Sequence, residues 1–220
     1  MKDLVNMNIL LIGPQGSGKG TQAEKLVEKS GLFYVEMGGI LRDAAKTNPT
    51  IDRLINIEGK LVPDNVALSL VIDKIEKENP TKDGIIFDGF PRSVAQYEML
   101  SSWLLESGKK INVAILIDIP DEESVKRLSA RRKCGECGKI WNLVTQPKPP
   151  SENKCECGGD LVQRKDDTPE VIKERLNAYH STTDKLVQLL EQKRILIKID
   201  GTKSIEDVTG DIVGSLSNWK

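Results

Sequence analysis

The octapeptide GPQGSGKG, Gly13 to Gly20, constrains this chain more than any other stretch. It fits G-x-x-x-x-G-K from Gly13 through Gly18 to Lys19. An apolar run, Met7 to Ile12, precedes it, and a segment with helical spacing, Gly18 to about Lys29, follows. Glycines there let backbone N–H groups converge on phosphate oxygens, and the helix N-terminus adds partial positive charge. A lysine supplies a point charge for the β- and γ-phosphates. A ligand-free turn is the alternative, and the strand and helix on either side argue against it. Gly16, Ser17, Gly18, Lys19, Gly20 and Thr21 are therefore the candidate triphosphate contacts. The hydroxyl that usually follows the lysine is displaced: Gly20 holds that position and Thr21 comes next, so Mg2+ would rely more on phosphates, water and a carboxylate elsewhere. The loop alone indicates a nucleoside triphosphate and nothing narrower.

The remaining chain alternates strand and helix. Phe33–Val35, Ile85–Phe87, Val113–Asp118 and Ile195–Ile199 read as short buried strands. Helices are expected over 38–46, 50–58, 64–78, 93–107, from Pro120 to about Arg132, from Thr168 onward and over 204–216. Thr168 followed by Pro169 is a helix start. This alternation predicts an α/β fold, a parallel sheet covered by helices on both faces. A 220-residue chain, 38% apolar and 30% charged, suits one such domain with insertions. The net charge of −1 gives no general attraction to nucleic acid or an anionic membrane. No apolar run approaches a membrane span, and MKDLVNMNILLIG does not read as a signal peptide. A cytosolic protein is expected.

One segment breaks the rhythm. Lys133 to Gln163 is rich in Gly, Pro, Lys and Cys, and all four cysteines of the chain lie in it. Cys134-x-x-Cys137 and Cys155-x-Cys157 are separated by 17 residues, and a glycine follows each pair. Two close pairs across a β-rich loop are the pattern of a structural zinc ribbon, with disulfides or free thiols as alternatives. An insertion this short cannot bury enough apolar surface to fold alone, so a Zn2+ crosslink would supply that stability.

Further landmarks follow the loop in order: DGFPR at Asp88–Arg92, RLSARR at Arg127–Arg132, RKDD at Arg164–Asp167, Arg175, and DGTK at Asp200–Lys203. With GSGKGT and its following glutamine, this series resembles the nucleoside monophosphate kinases, specifically the adenylate kinase family with a long zinc-binding lid. The resemblance runs end to end. It implies a P-loop core over 1–35, 63–129 and 168–220, a helical monophosphate-binding cover over 36–62, and a lid over 130–167. The activity it implies is reversible, Mg2+-dependent phosphoryl transfer, ATP + AMP = 2 ADP, by a monomer whose partners are ATP, AMP and ADP.

The resemblance also distributes roles. Lys19, Asp88, Arg92, Arg127, Arg131, Arg164 and Arg175 form the catalytic set. Asp88 would hold Mg2+ through water. Arg127 and Arg131 serve the ATP side, with Ile140 and Trp141 of the lid and the carbonyl of Lys203 around its adenine. Trp141 has an equal alternative as the lid's own core. Met37, Arg42, Lys60, Val62, Gly89, Arg92, Gln96, Arg164 and Arg175 serve the AMP side, where the Gln96 carboxamide would read adenine. Guanidinium groups suit this work because they are permanently charged and bind phosphate bidentately. No general base is needed, since the acceptor oxygen is already anionic.

The segment VEMGGILR departs from the pattern: Met37 stands where a threonine is usual and Gly39 where an aspartate is usual. The competing readings are a kinase for another nucleoside monophosphate, a zinc-ribbon module that grips nucleic acid through its lysine-rich lid, and an ATPase or GTPase switch. Aromatic residues at 4% leave few stacking platforms for single-stranded nucleic acid. The lone histidine, His180, is assigned a structural place.

Overall fold

A computed structural model describes residues 6–54, 62–164 and 166–219. Strands β1 (Ile9–Ile12), β2 (Phe33–Glu36), β3 (Ile85–Asp88), β4 (Val113–Asp118) and β8 (Leu196–Asp200) form one parallel sheet in the order β2-β3-β1-β4-β8. Helices α1 (Lys19–Ser30), α2 (Met37–Ala45), α3 (Pro49–Asp52), α4 (Asp64–Glu78), α5 (Val94–Glu106), α6 (Asp121–Ser129), α7 (Pro169–Gln192) and α8 (Ile205–Ser217) connect them. The expected P-loop α/β fold is present.

The alternation of side chains along each strand divides the core in two. Leu10, Ile12, Ile85, Phe87, Ala114 and Leu116 point to one face, where α4, α5 and α7 add Val71, Ile75, Leu100, Leu104, Leu186 and Leu190. Ile9, Leu11, Ile86, Val113, Ile115 and Ile117 point to the other, against Leu26 of α1 and Ile212 and Leu216 of α8. Because both faces are covered, the strands read as unbroken apolar runs. One polar residue closes the lower edge: Asn8 Nδ2 donates to the carbonyls of Lys82 and Lys110, and its Oδ1 accepts from Ile85 N–H.

The central strand is β1, so the loops leaving β1, β3 and β4 meet at one carboxyl edge, where ligands of such sheets bind. Gly13 begins this junction with φ +151°, and a Cβ there would lie 2.2 Å from the carbonyl oxygen of Ile117, so no other residue fits. Gly18, left-handed at φ 98°, then starts α1.

The inserted segment forms a small antiparallel sheet of β5 (Arg131–Cys134), β6 (Ile140–Asn142) and β7 (Leu161–Val162), ordered β6-β5-β7. This corrects the expectation of a helix running to Arg132. Helix α6 ends at Ser129, Ala130 caps it, and Arg131 and Arg132 already lie on β5. The backbone turns there because Arg131–Lys133 pair with β6 across a ladder. Of the helix expected over 50–58, α3 and the following turn are described to residue 54; the rest lies outside the described residues, as does Lys60. Helix α7 begins as expected, with Thr168 as N-cap and Pro169 in its first turn. Among the described residues no helix is long and apolar enough to cross a membrane.

Candidate active site

Lys19 sits at the start of α1, and its Nζ donates to the carbonyls of Gly13 (2.8 Å) and Pro14 (2.9 Å). Burial pushes its ammonium down to about 8, with Asp88 opposing that shift and Arg92, Arg175 and Arg131 adding to it. Charges from four separate stretches of sequence, the loop lysine, DGFPR, Arg131 and Arg175, therefore act on one another at the carboxyl edge. A half-buried lysine that feels the charge of three guanidinium groups suits a polyanion.

Asp88 ends β3 and is buried. Burial raises its carboxyl above the usual range, while Lys19 and the Tyr34 hydroxyl oppose the shift. Tyr34 donates to Asp88 Oδ2 at 3.0 Å. The Cβ that Gly20 lacks would stand 3.7 Å from the Tyr34 hydroxyl and 3.9 Å from Asp88 Oδ2. The missing hydroxyl thus leaves space directly before the carboxylate.

DGFPR turns sharply after β3, with Gly89 at φ 78° and a cis Phe90–Pro91 bond. Arg92 Nε donates to the Gly89 carbonyl at 2.7 Å, and the Arg92 carbonyl accepts from the Thr183 hydroxyl on α7 at 3.0 Å. Gln96 is buried rather than surface-exposed. Ser93 caps α5 by accepting from Gln96 N–H, and Gln96 Oε1 reaches back to Arg92 N–H at 2.7 Å. Its Nε2 donates to Asp64 Oδ1 at 2.7 Å. The Arg92 N–H and Asp64 together fix which end of the carboxamide is which, and leave one lone pair and one hydrogen for a ligand. The S-x-x-Q spacing was the signal for it.

The other arginines already have carboxylate partners. Arg131 forms two bonds to Asp167, at 2.8 and 2.5 Å, and the Asp167 side chain is fully buried. Arg164 makes two bonds to Asp166, which also accepts from Arg175 at 3.0 Å. Arg127 pairs with Glu123 at 2.8 Å, its Nη1 3.5 Å from the Gly16 carbonyl. Arg42 pairs with Glu36 at 3.1 Å. Arg132 spends its donors on the carbonyls of Ser129 and Arg131, away from the site. Sequence reasoning named RKDD for its arginine and left Asp166 and Asp167 without a role; it also missed Tyr34 and Glu36. Only the last carried a local signal, an acidic residue shortly before two consecutive glycines.

Met37 and Val62 are both buried in the core cluster beneath α2 and α4. The Lys203 side chain points away to Asp211 at 2.8 Å, while Asp200 Oδ1 holds the turn by accepting from Thr202 N–H at 2.9 Å. Of the two lid residues offered for adenine, Ile140 is 44% exposed and Trp141 only 2%. The Trp141 indole packs with Cys134, Cys155 and Leu161, so it belongs to the lid's core, the alternative left open by the sequence. His180 bridges Asp121 on α6 (3.0 Å) and Asp184 on α7 (3.1 Å). It lies outside the catalytic set.

In the lid, all four cysteine Sγ atoms lie within 4.8 Å of one another, and none is disulfide-bonded. Cys134 to Cys157 is 3.5 Å and Cys137 to Cys155 is 3.6 Å. A tetrahedron with Zn–S bonds of about 2.3 Å has edges of about 3.8 Å, so the cluster suits structural zinc. Trp141 Nε1 donates to Cys155 Sγ at 3.2 Å, and Cys137 N–H to Cys134 Sγ at 3.5 Å. Such donors favour thiolate. The Cys157 N–H leads in holding the Cys155 thiol down to about 6.

Residues 11–195 match the family described as adenylate kinase. A protein from Archaeoglobus fulgidus named adenylate kinase is 40% identical over 218 residues, covering 97% of this chain and all of that protein. Another from Kosmotoga olearia is 41% identical over 216 residues, covering 96% of this chain and all of the relative. A third, from Clostridium beijerinckii, is 38% identical over 97% of this chain and its own full length.

Proposed function

The chain belongs to the adenylate kinase family, and on that premise we propose how its residues divide the transfer of a phosphoryl group between ATP and AMP. It is an ATP:AMP phosphotransferase. The observation that carries the assignment of roles is the convergence of Lys19, Asp88, Arg92, Arg131 and Arg175 on one carboxyl edge of the sheet.

On the donor side, the backbone of Gly16–Thr21 and the Lys19 ammonium hold the ATP phosphates. When phosphate arrives, Lys19 exchanges its two carbonyl partners for phosphate oxygens. Arg127 and Arg131 flank the transferring group, with Ile140 and the Lys203 carbonyl beside the adenine. On the acceptor side, Arg42 and Arg92 hold the AMP phosphate, and the family resemblance assigns Met37, Lys60, Val62 and Gly89 to the same side. Gln96, its carboxamide already oriented by Arg92 and Asp64, reads adenine with its remaining lone pair and hydrogen. Arg164 and Arg175 stand between the two substrates. Transfer needs little covalent help from the protein, so positioning and charge neutralisation supply the rate.

The family uses Mg2+ with ATP, and Asp88, facing the space left by Gly20, is the carboxylate that would hold it. Its chemistry there would be to neutralise phosphate charge. The four cysteines would hold a structural Zn2+, which leaves no open coordination position for catalysis. The core comprises 1–35, 63–129 and 168–220, with a monophosphate cover over 36–62 and a lid over 130–167. Closure of both would exclude water and prevent hydrolysis of ATP. The family resemblance supports a monomer acting in the cytosol.

An acceptor panel tests this reading: ADP formation from Mg-ATP with AMP, GMP, CMP or UMP. AMP is expected to give the highest kcat/KM, with the pyrimidine nucleotides far behind because they cannot match the oriented carboxamide. A better acceptor among the other three would overturn the role given to Gln96 and favour the reading as a kinase for another nucleoside monophosphate.

A further inference from the structure

Glu36 closes β2 and stands at the N-cap of α2, yet its side chain makes no capping bond to the helix. It turns instead to Arg42, whose Nη2 donates to Oε2 at 3.1 Å and to Oε1 at 3.3 Å. Two glycines make the room. A Cβ on Gly38 would lie 2.5 Å from Glu36 Oε1, and one on Gly39 would lie 2.6 Å from Oε2. Neither glycine has a positive φ, so the backbone does not call for glycine at either position. Consecutive glycines inside a helix cost helix stability, and what they provide here is space for a carboxylate. The Glu36 charge is also felt by Arg92 and Asp88, which places it at the rim of the site.

We propose that Glu36 is a positioning residue that sets the affinity for the acceptor: a built-in counter-anion that holds Arg42 until a phosphate monoester displaces it. The inference rests on the reading above, in which Arg42 and Arg92 cradle the acceptor phosphate. Carboxylate and phosphate seek the same guanidinium donors, so each binding event must first break the Glu36–Arg42 pair. A dianionic phosphate does so; an uncharged nucleoside does not. Where the family pattern has aspartate at position 39, this chain has an empty position there, and a carboxylate reaches Arg42 from the end of β2.

The test measures KM for AMP, KM for ATP, kcat and Tm in Glu36→Gln, Gly39→Ala, the double variant and Arg42→Ala. Glu36→Gln removes the competing charge and is expected to lower KM for AMP by about two- to fivefold, leaving KM for ATP unchanged. Gly39→Ala crowds Glu36 Oε2 while leaving both charged residues in the chain, so by displacing the carboxylate it should shift KM for AMP in the same direction, and the double variant should add nothing further. A KM for AMP that is unchanged or raised in Glu36→Gln overturns the proposal. Arg42→Ala separates the two levels of inference. If it leaves KM for AMP unchanged, the cradle itself is misassigned and the role of Glu36 falls with it. If it raises KM for AMP while Glu36→Gln does not lower it, only the role of Glu36 fails.

Discussion

The sheet core and the lid are held together by different physics. In the core, apolar strand residues on both faces meet helices across two apolar clusters, and Ile9, Leu10, Ile85, Ile86 and Phe87 are wholly buried. In the lid, the buried cluster is Cys134, Trp141 and Cys155 with Leu161 packed against it. Two of those residues are thiols. The core gains stability from burial spread over many side chains; the lid depends on one cluster of sulfur atoms. The insertion and the sheet are therefore expected to lose structure separately when either is perturbed.

The largest expected effect lies in the core. Phe87→Ala removes a fully buried ring from β3, and should cost about 3–5 kcal/mol and lower Tm by roughly 10 °C or more. Calorimetry checks it. Next comes Cys155→Ser, which removes the thiol that accepts the Trp141 indole N–H. Zinc content by elemental analysis should fall from one ion per chain, and amide protection should be lost over 131–162 while the sheet stays protected. Chelation of the wild type should do the same. If Cys155→Ser lowers Tm as much as Phe87→Ala, the core and lid are one cooperative unit and the contrast fails; if the wild-type protein holds no zinc, the metal assignment fails.

The smallest effect belongs to His180, which ties α6, the helix leading into the lid, to α7, the helix leading out of it. Hydrogen bonds donated by the imidazolium to Asp121 and then Asp184 raise its pKa above the ordinary value. A base whose folded pKa is raised contributes stability fully below its unfolded pKa, near 6.5, and loses it as pH rises through the folded value. His180→Gln should therefore lower Tm at pH 6 by at most roughly 2–4 °C, because the pair is half exposed, and should have little effect at pH 9. An equal loss at both pH values would show packing rather than charge.

How much could be read from the chain differs between backbone and side chains. Local chemistry made the phosphate loop, the strand runs, the Thr168–Pro169 helix start and the two cysteine pairs legible, because each is set by residues adjacent in sequence. The end of α6 was misread because Arg131 and Arg132 have helical propensity, and only their ladder with β6 makes them a strand. The place of Gln96 was half visible: its capping spacing is local, whereas its bond to Asp64 spans 32 residues. Trp141 could not be placed from sequence, since whether an indole faces a ligand or a lid's interior depends on what packs behind it.

The sequence by itself therefore determined a P-loop α/β kinase with a four-cysteine insertion, because the turn at Gly13–Thr21 and the order of the arginine landmarks admit little else. Only the tertiary structure decided which carboxylates those arginines pair with. Each carboxylate partner, from Asp167 on Arg131 to Glu36 on Arg42, is chosen by distance in space. A charged side chain on a flexible stem takes whichever opposite charge the fold brings within reach.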